Sequence, residues 1–162
     1  VDELECFGIV IYRDICYCFF DWIALMEKIL KTIESFIVEH HLLSLATMGE
    51  ELWCTSLFYA YDTENVAFIV ATDPDTLHGS HIRLNACIAG TVALETSMVG
   101  KIQGIQFTGI MRHYQEGETL YFKAFPFARV MSPTLWKIRL DEIKMTDNRL
   151  GFGKKLIWKR SS

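Results

Sequence analysis

The stretch that decides the fold is residues 42–76, which read LLSLATMGEELWCTSLFYAYDTENVAFIVATDPDT. It contains three apolar segments separated by the short polar turns GEE and DTEN: Leu42–Met48, Leu52–Tyr61 and Val66–Thr72. Apolar runs rich in aromatic and β-branched residues between such turns are typical of strands. Because the connections are too short for crossovers, we predict an antiparallel meander.

Helices are predicted on both sides of this meander. Upstream, apolar residues recur at three- and four-residue spacing, which predicts one buried helix face up to about His40: Met26, Ile29, Leu30, Ile33, Phe36 and Ile37. Downstream, Asp73 followed by Pro74 indicates a helix with an aspartate cap and proline in its first turn, ending near Asn85.

The rest of the chain predicts further strands at Cys87–Leu94, Ile102–Tyr114, Trp136–Thr146 and Leu156–Trp158. Leu120–Val130, which contains Pro126, is predicted to be helical or irregular. No alternation of strands with long helices occurs. The fold class is therefore α+β, with a small antiparallel barrel of six to seven strands and two to three helices.

Composition limits the classes of function. The chain has 162 residues, of which 51% are hydrophobic and 22% charged, so one folded domain is expected and disorder is excluded. A net charge of −4 argues against a nucleic-acid partner, because phosphate binding needs a basic face. Positive residues cluster late, between Arg149 and Arg160, and form a candidate local anion site.

The five cysteines include no CxxC pair, so the sequence predicts neither a disulfide framework nor a zinc site. Reduced thiols in a cytoplasmic protein are the simplest interpretation.

Residues 1–25 are apolar but fit no targeting class. Arg13, Asp14 and Asp21 interrupt a membrane span, and the acidic start does not fit a signal peptide. We interpret residues 1–25 as a leader outside the native domain, which then spans residues 26–162. The alternative is an extra strand or arm packed on that domain. No membrane association is predicted.

Several longer motifs are similar to a known family: GEELWCTSLFYAYD, GIQFTG, FPFARVMSPTLW and WKIRLDEIKMTDNRLGFGKKLIW. Over about Ile33–Arg160 the chain resembles the YhbP-like bacterial family of the FMN-binding split-barrel superfamily, which is related to pyridoxamine 5′-phosphate oxidase. The resemblance implies a split β-barrel and a homodimer with FMN at the subunit interface. It also implies a flavin-dependent oxidoreductase acting on a small molecule.

The resemblance places the FMN phosphate at the loop Thr72–His78. Backbone N–H groups at the start of the following helix, with the Thr72 and Thr76 hydroxyls, would donate to it. The superfamily usually has Ser-Arg-Lys where this chain has Thr76-Leu77-His78, so one imidazole replaces two cations. The alternative is that His78 and His81 form an exposed pair without function, and as a zinc pair they lack a third ligand.

The resemblance assigns the flavin ring to the strand that carries Thr55 and Ser56 and to Gln106, whose amide both donates and accepts. Lys154 or Lys155 would supply a cation from the partner subunit. The alternative for Ser, Thr and Gln is an ordinary solvent-facing strand. Lys155–Lys159 reads KLIWK and lacks the superfamily's substrate-handling tail, so oxidation of pyridoxamine phosphate is not predicted.

No catalytic residue or metal site is predicted, since no Ser-His-Asp order, Walker loop or dinucleotide fingerprint occurs. Flavin chemistry needs few protein catalysts, because the ring carries the electrons. Two alternatives stay open: a cofactor-free binding or interaction module, and a haem-binding variant using one of the five histidines. These are His40, His41, His78, His81 and His113.

Overall fold

The computed structural model describes residues 23–151 and 153–161. It contains one long helix, α1 (residues 23–39), and two short ones, α2 (Leu77–Leu84) and α3 (Glu118–Ala124). The strands are β1 (Leu42–Met48), β2 (Leu52–Asp62), β3 (Ala67–Ala71), β4 (Cys87–Ala93), β5 (Gln103–His113), β6 (Leu135–Asp147) and β7 (Lys155–Lys159). Short 3₁₀ turns lie at Val99–Lys101, Gln115–Gly117, Pro126–Met131 and Asn148–Leu150.

Six strands close into an antiparallel split barrel in the order β3-β2-β1-β4-β5-β6, and pairing of β3 with β6 completes the ring. The long strand β6 pairs with β3 through its first half and with β7 through its second half. Strand β7 is therefore an addition outside the closed ring. The predicted fold class is confirmed, and each predicted strand is present with its ends within about two residues.

Every second side chain along the strands points into the barrel, and these side chains form its core. In β1 and β2, Leu43, Leu45, Leu57 and Tyr59 point inward and are buried, whereas their neighbours face outward. Helix α1 packs against this core with Ile33 and Ile37, and the Tyr59 hydroxyl donates to the Ile37 carbonyl at 2.8 Å. Burial raises the pKa of Tyr59, so this phenol stays neutral as a donor.

A second, smaller core lies outside the barrel. Helix α3 lays Tyr121 and Phe122 over Ala60 and Ile69, which are outward-facing residues of β2 and β3. The stretch predicted to be helical or irregular is thus part helix and part 3₁₀ turn, because α3 ends at Ala124 and Pro126 begins the turn.

The predicted leader lies almost wholly outside the described residues, and residues 23–25 extend α1 ahead of Met26. Within the described part of the chain, no helix is long and apolar enough to cross a membrane.

Candidate functional site

The loop between β3 and α2 is organised by its own side chains. The Asp73 carboxylate accepts from the Asp75 amide at 2.8 Å, and the Thr76 hydroxyl donates to the Asp73 carbonyl at 2.7 Å. The Gly79 amide donates to Thr76 Oγ1 at 3.2 Å, so Thr76 is the residue that caps α2. The expectation that Asp73 is the cap is wrong, because its side chain closes the preceding turn instead.

His78 is buried beneath this loop, with only 7% of its surface exposed. Its Nε2 lies 2.5 Å from Thr72 Oγ1 and 3.1 Å from Thr76 Oγ1. Burial lowers the pKa of His78, and the neighbouring His81 lowers it further. The imidazole is therefore neutral at pH 7, and it positions the two threonines rather than offering a cation to an anion.

The hydrogen-bond pattern indicates which ring nitrogen of His78 carries its proton. Thr76 Oγ1 already donates its single hydrogen to Asp73, so it can only accept from His78. Nε2 therefore carries the proton and is shared between the two hydroxyl oxygens. Thr72 Oγ1 then accepts from His78 as well, and Thr72 is itself buried, with 8% of its surface exposed.

His81 is buried too, so the alternative of an exposed histidine pair is wrong. Its Nδ1 lies 3.2 Å from Thr47 Oγ1 at the end of β1, and only 3% of the residue is exposed. The ring packs against Gly49, where an added Cβ would overlap the His81 ring. These contacts fix α2 across the β1–β2 turn and so fix the direction in which the Thr72–His78 loop faces.

A row of polar side chains crosses the outside of the barrel. The strand registers pair Ser56 with Ser44, Ser44 with Thr91, Thr91 with Gln106 and Gln106 with Lys144. Because these residues are direct cross-strand neighbours, their side chains emerge on one face about 5 Å apart. This outer row unites two predicted flavin contacts, Ser56 and Gln106, although 50 residues of sequence separate them.

Of the other predicted flavin contacts, one lies on the same outer face as the row and the others do not. Thr55 is half-buried opposite Leu45, so it points toward the barrel interior, away from Ser56 and Gln106. Lys155 opens β7 opposite Thr146 and is exposed on the same outer face as the row. Lys154 lies in the preceding turn, where Gly151 and Gly153 take left-handed φ values of 120° and 76°.

Apolar side chains surround the outer row without covering it. Leu42 and Met48 of β1 and Phe58 of β2 are about half exposed, at 51%, 52% and 56%. None of the five main cavities in the described part of the chain is lined by Ser56, Gln106 or Thr72. In a single subunit the site is thus an open surface, and the described contacts do not join the Thr72–His78 loop to the outer row.

Sequence reasoning missed a buried polar network at the start of β5. Gln103 Nε2 donates to Asp147 Oδ2 at 2.8 Å, and Arg149 Nη2 donates to the same oxygen at 3.0 Å. The hydrogen bonds from Arg149 lower the pKa of Asp147, with burial opposing them and Gln103 assisting. The segment TDNR signals only a turn in the sequence, so nothing there pointed to Gln103.

No group of three or more metal-binding side chains occurs within residues 23–151 and 153–161. Of the histidines proposed as haem ligands, His78 and His81 are engaged internally, and His40 Nδ1 contacts the Phe36 carbonyl at 2.8 Å. His113 packs edge-on against Trp136.

Curated relatives match most of the chain. It is 46% identical over 138 residues to the UPF0306 protein of Cronobacter sakazakii, covering 82% of this chain and 96% of that protein. It is 42% identical over 139 residues to the UPF0306 protein YhbP of Escherichia fergusonii, covering 82% and 95%. No family model matches the chain.

Solved structures share the fold at low identity. A haem-binding protein from Mycobacterium smegmatis has a TM-score of 0.63 and 12% identity, covering 76% of this chain and 54% of that one. A NimC/NimA family protein from Clostridium acetobutylicum has a TM-score of 0.62 and 15% identity, covering 80% and 91%. An FAD-binding protein from Mesorhizobium loti has a TM-score of 0.57 and 11% identity, covering 70% and 89%.

Proposed function

The chain belongs to the UPF0306 family, and we propose that it is a cytoplasmic homodimer that binds FMN on the outer barrel face and acts as a small flavin-dependent oxidoreductase. The observation that carries the proposal is the outer row, in which Ser56, Thr91 and Gln106 bring short polar groups into register on an open face. A flavin edge carries both donors and acceptors, which hydroxyls and an amide can match.

A second subunit would complete the site. Leu42, Met48 and Phe58 leave apolar surface around the row, and burying such surface contributes about 25 cal/mol per Å². A cofactor on an open face would also stay in contact with water, whereas cofactor sites enclose most of their ligand. A partner laid over this face both covers the apolar rim and encloses the flavin.

The Thr72–His78 loop is the proposed phosphate end. The Thr72 hydroxyl and the first backbone N–H groups of α2 would be its neutral donors, and His78 holds the Thr72 and Thr76 side chains in place. Lys155 from the exposed end of β7 is the candidate cation. FMN would supply the electron-transfer chemistry, while these residues bind and orient it.

The test is equilibrium binding of FMN and riboflavin to wild type and to Gln106→Leu. Loss of the Gln106 amide should weaken both flavins about tenfold, because a hydrogen bond to a ligand in an enclosed site contributes about 1.5 kcal/mol. Riboflavin, which lacks the phosphate, should bind more weakly than FMN by a similar factor. Gln115→Leu, the same change at an exposed turn, is the matched control and should leave both affinities unchanged.

A cofactor-free binding module is the second candidate function, and the burial of His78 favours it. No residue of the loop itself is a permanent cation, and the Arg83 guanidinium that reaches the loop donates to the Pro74 carbonyl, which weakens one usual source of FMN affinity. Failure of wild type to bind either flavin would favour this module, and a haem spectrum of the purified protein would favour the haem-binding variant.

A further inference from the structure

A groove outside β5 and β6 concentrates positive charge on a chain whose net charge is −4. Its volume is about 450 Å³, within the range of small-molecule sites. The lining residues that matter are Ile110, Arg112, Tyr114, Lys137, Arg139 and Arg160. We call this the cationic groove.

The strand register places these cations side by side. Arg112 lies directly opposite Lys137, and Ile110 lies directly opposite Arg139. A β-bulge between Thr108 and Gly109 sets this register. Like charges directly opposite each other destabilise a sheet, so the arrangement has a cost that a bound anion would remove.

Two of the four cations are neutralised within the protein. Lys137 Nζ lies 3.3 Å from Asp62 Oδ2 and 4.8 Å from the centre of the Tyr114 ring. Arg139 Nη2 lies 3.0 Å from Asp141 Oδ1. Burial raises the pKa of Asp62, but hydrogen bonds from Asn65 and the Lys137 ammonium outweigh it, so Asp62 remains ionised.

The other two cations have no carboxylate partner among the described residues. The described hydrogen bonds of Arg160 all go to backbone carbonyls, with Nε donating to Leu140 at 2.8 Å and Nη2 donating to Asn65 and Val66 at 2.9 Å. Its guanidinium carbon lies 5.5 Å from the centre of the Trp158 ring. Its Nη1 makes no hydrogen bond in the described chain, so a rigidly placed guanidinium keeps donors for a ligand. Arg112 is exposed and forms no ion pair there.

We propose that the cationic groove binds a small organic phosphate ester. Four cations against two aspartates leave a net charge of about +2, which matches a phosphate dianion. Guanidinium groups bind phosphate oxygens through paired N–H donors, which Arg112 can present, and Arg160 adds the donors of its Nη1. Ile110 and Tyr114 provide apolar surface for the organic part of the ester.

This site is separate from the proposed flavin site. Gln106 and Arg112 both lie on β5 but are six residues apart, which corresponds to about 20 Å along the strand. Binding at each place can therefore be followed by different backbone amides.

The test is a ¹⁵N NMR titration of the full chain with glycerol 3-phosphate, comparing wild type, Arg112→Gln and the control Lys101→Gln. Lys101 is an exposed cation ahead of the opposite end of β5. Amides of Ile110–Tyr114 and Lys137–Arg139 should shift on addition of the ester, and Arg112→Gln should weaken that binding about tenfold. Lys101→Gln should behave like wild type.

Three outcomes would overturn the proposal: no shift at these amides, equal affinity in Arg112→Gln and wild type, or equally tight binding of succinate, a dicarboxylate. Shifts confined to Thr76–Gly79 would place the ester at the flavin phosphate loop and also contradict it. The groove amides should respond even if FMN does not bind, so this proposal and the flavin proposal can fail independently.

Discussion

The α2 loop and the cationic groove are both suited to an anion, but by opposite means. At the α2 loop, the Thr72 hydroxyl and the first backbone N–H groups of α2 are neutral donors beside a buried, uncharged His78. At the groove, Arg112 and Arg160 carry charges that no described carboxylate balances. Family resemblance directs attention to the first region, whereas the excess positive charge lies in the second, so motif position and electrostatics identify different surfaces.

The largest expected change in stability is at the β-bulge between Thr108 and Gly109, which sets the register of the cationic groove. A Cβ at Gly109 would overlap the Arg139 backbone carbonyl, which cannot move without breaking the β5–β6 pairing. Gly109→Ala should therefore destabilise the fold by about 3 kcal/mol, measured by urea unfolding. Gly100→Ala, where the space is open, is the matched control, and equal stability of the two variants would contradict the account.

The His78 side chain should contribute the next largest effect. His78→Ala removes the imidazole that bridges Thr72 and Thr76, and we expect a loss of about 2 kcal/mol in the free energy of unfolding. Ser80→Ala, two residues further along α2 at a half-buried position, should lower the free energy of unfolding by less than half as much. Equal losses would mean that the His78 contacts add nothing.

The two regions should also respond to acid at different pH. The folded-state pKa of His78 is below its ordinary value of 6.5, so the unfolded chain binds more protons there. Stability from His78 is full above about pH 6.5 and declines as pH falls through the folded-state pKa. The pKa of Asp62 in the groove is lowered from 3.8, so its contribution is lost only at more acidic pH.

Unfolding measured against pH checks this order. The decline that begins below about pH 6.5 should be reduced in His78→Gln and retained in Asp62→Asn. A decline in the same window that depends on Asp62 would contradict the assignment.

The smallest change in stability is expected for substitution of Arg112. Because it faces Lys137 across the strands, Arg112→Gln should leave stability within about 0.5 kcal/mol of wild type, on the stabilising side at low salt. Added salt screens the repulsion and should remove the difference. A clear loss of stability in Arg112→Gln would show that Arg112 has a structural partner.

The barrel was predictable from the sequence because its strands are apolar runs, rich in aromatic and β-branched residues, between short polar turns. That pattern does not show that Ser56 and Gln106 share a row, because cross-strand register is a tertiary property. His78 illustrates the opposite difficulty. Its burial depends on the barrel wall beneath α2, and no local pattern in Thr76-Leu77-His78 reveals it.

The sequence did not predict the cationic groove, and the reason is related. Arg112, Lys137, Arg139 and Arg160 are scattered over 49 positions, and only the β5–β6 pairing and the chain after β7 bring them together. Of the late basic cluster noted in the sequence, Arg160 is the member that joins this groove.

The central claim is that the outer barrel face binds FMN between two subunits. Sedimentation velocity of the FMN-saturated chain, followed simultaneously by protein and flavin absorbance, tests it most directly. The account predicts that flavin sediments with a species of about twice 18.7 kDa, at one FMN per chain. Flavin that sediments with a monomer, or a dimer that carries no flavin, would contradict it.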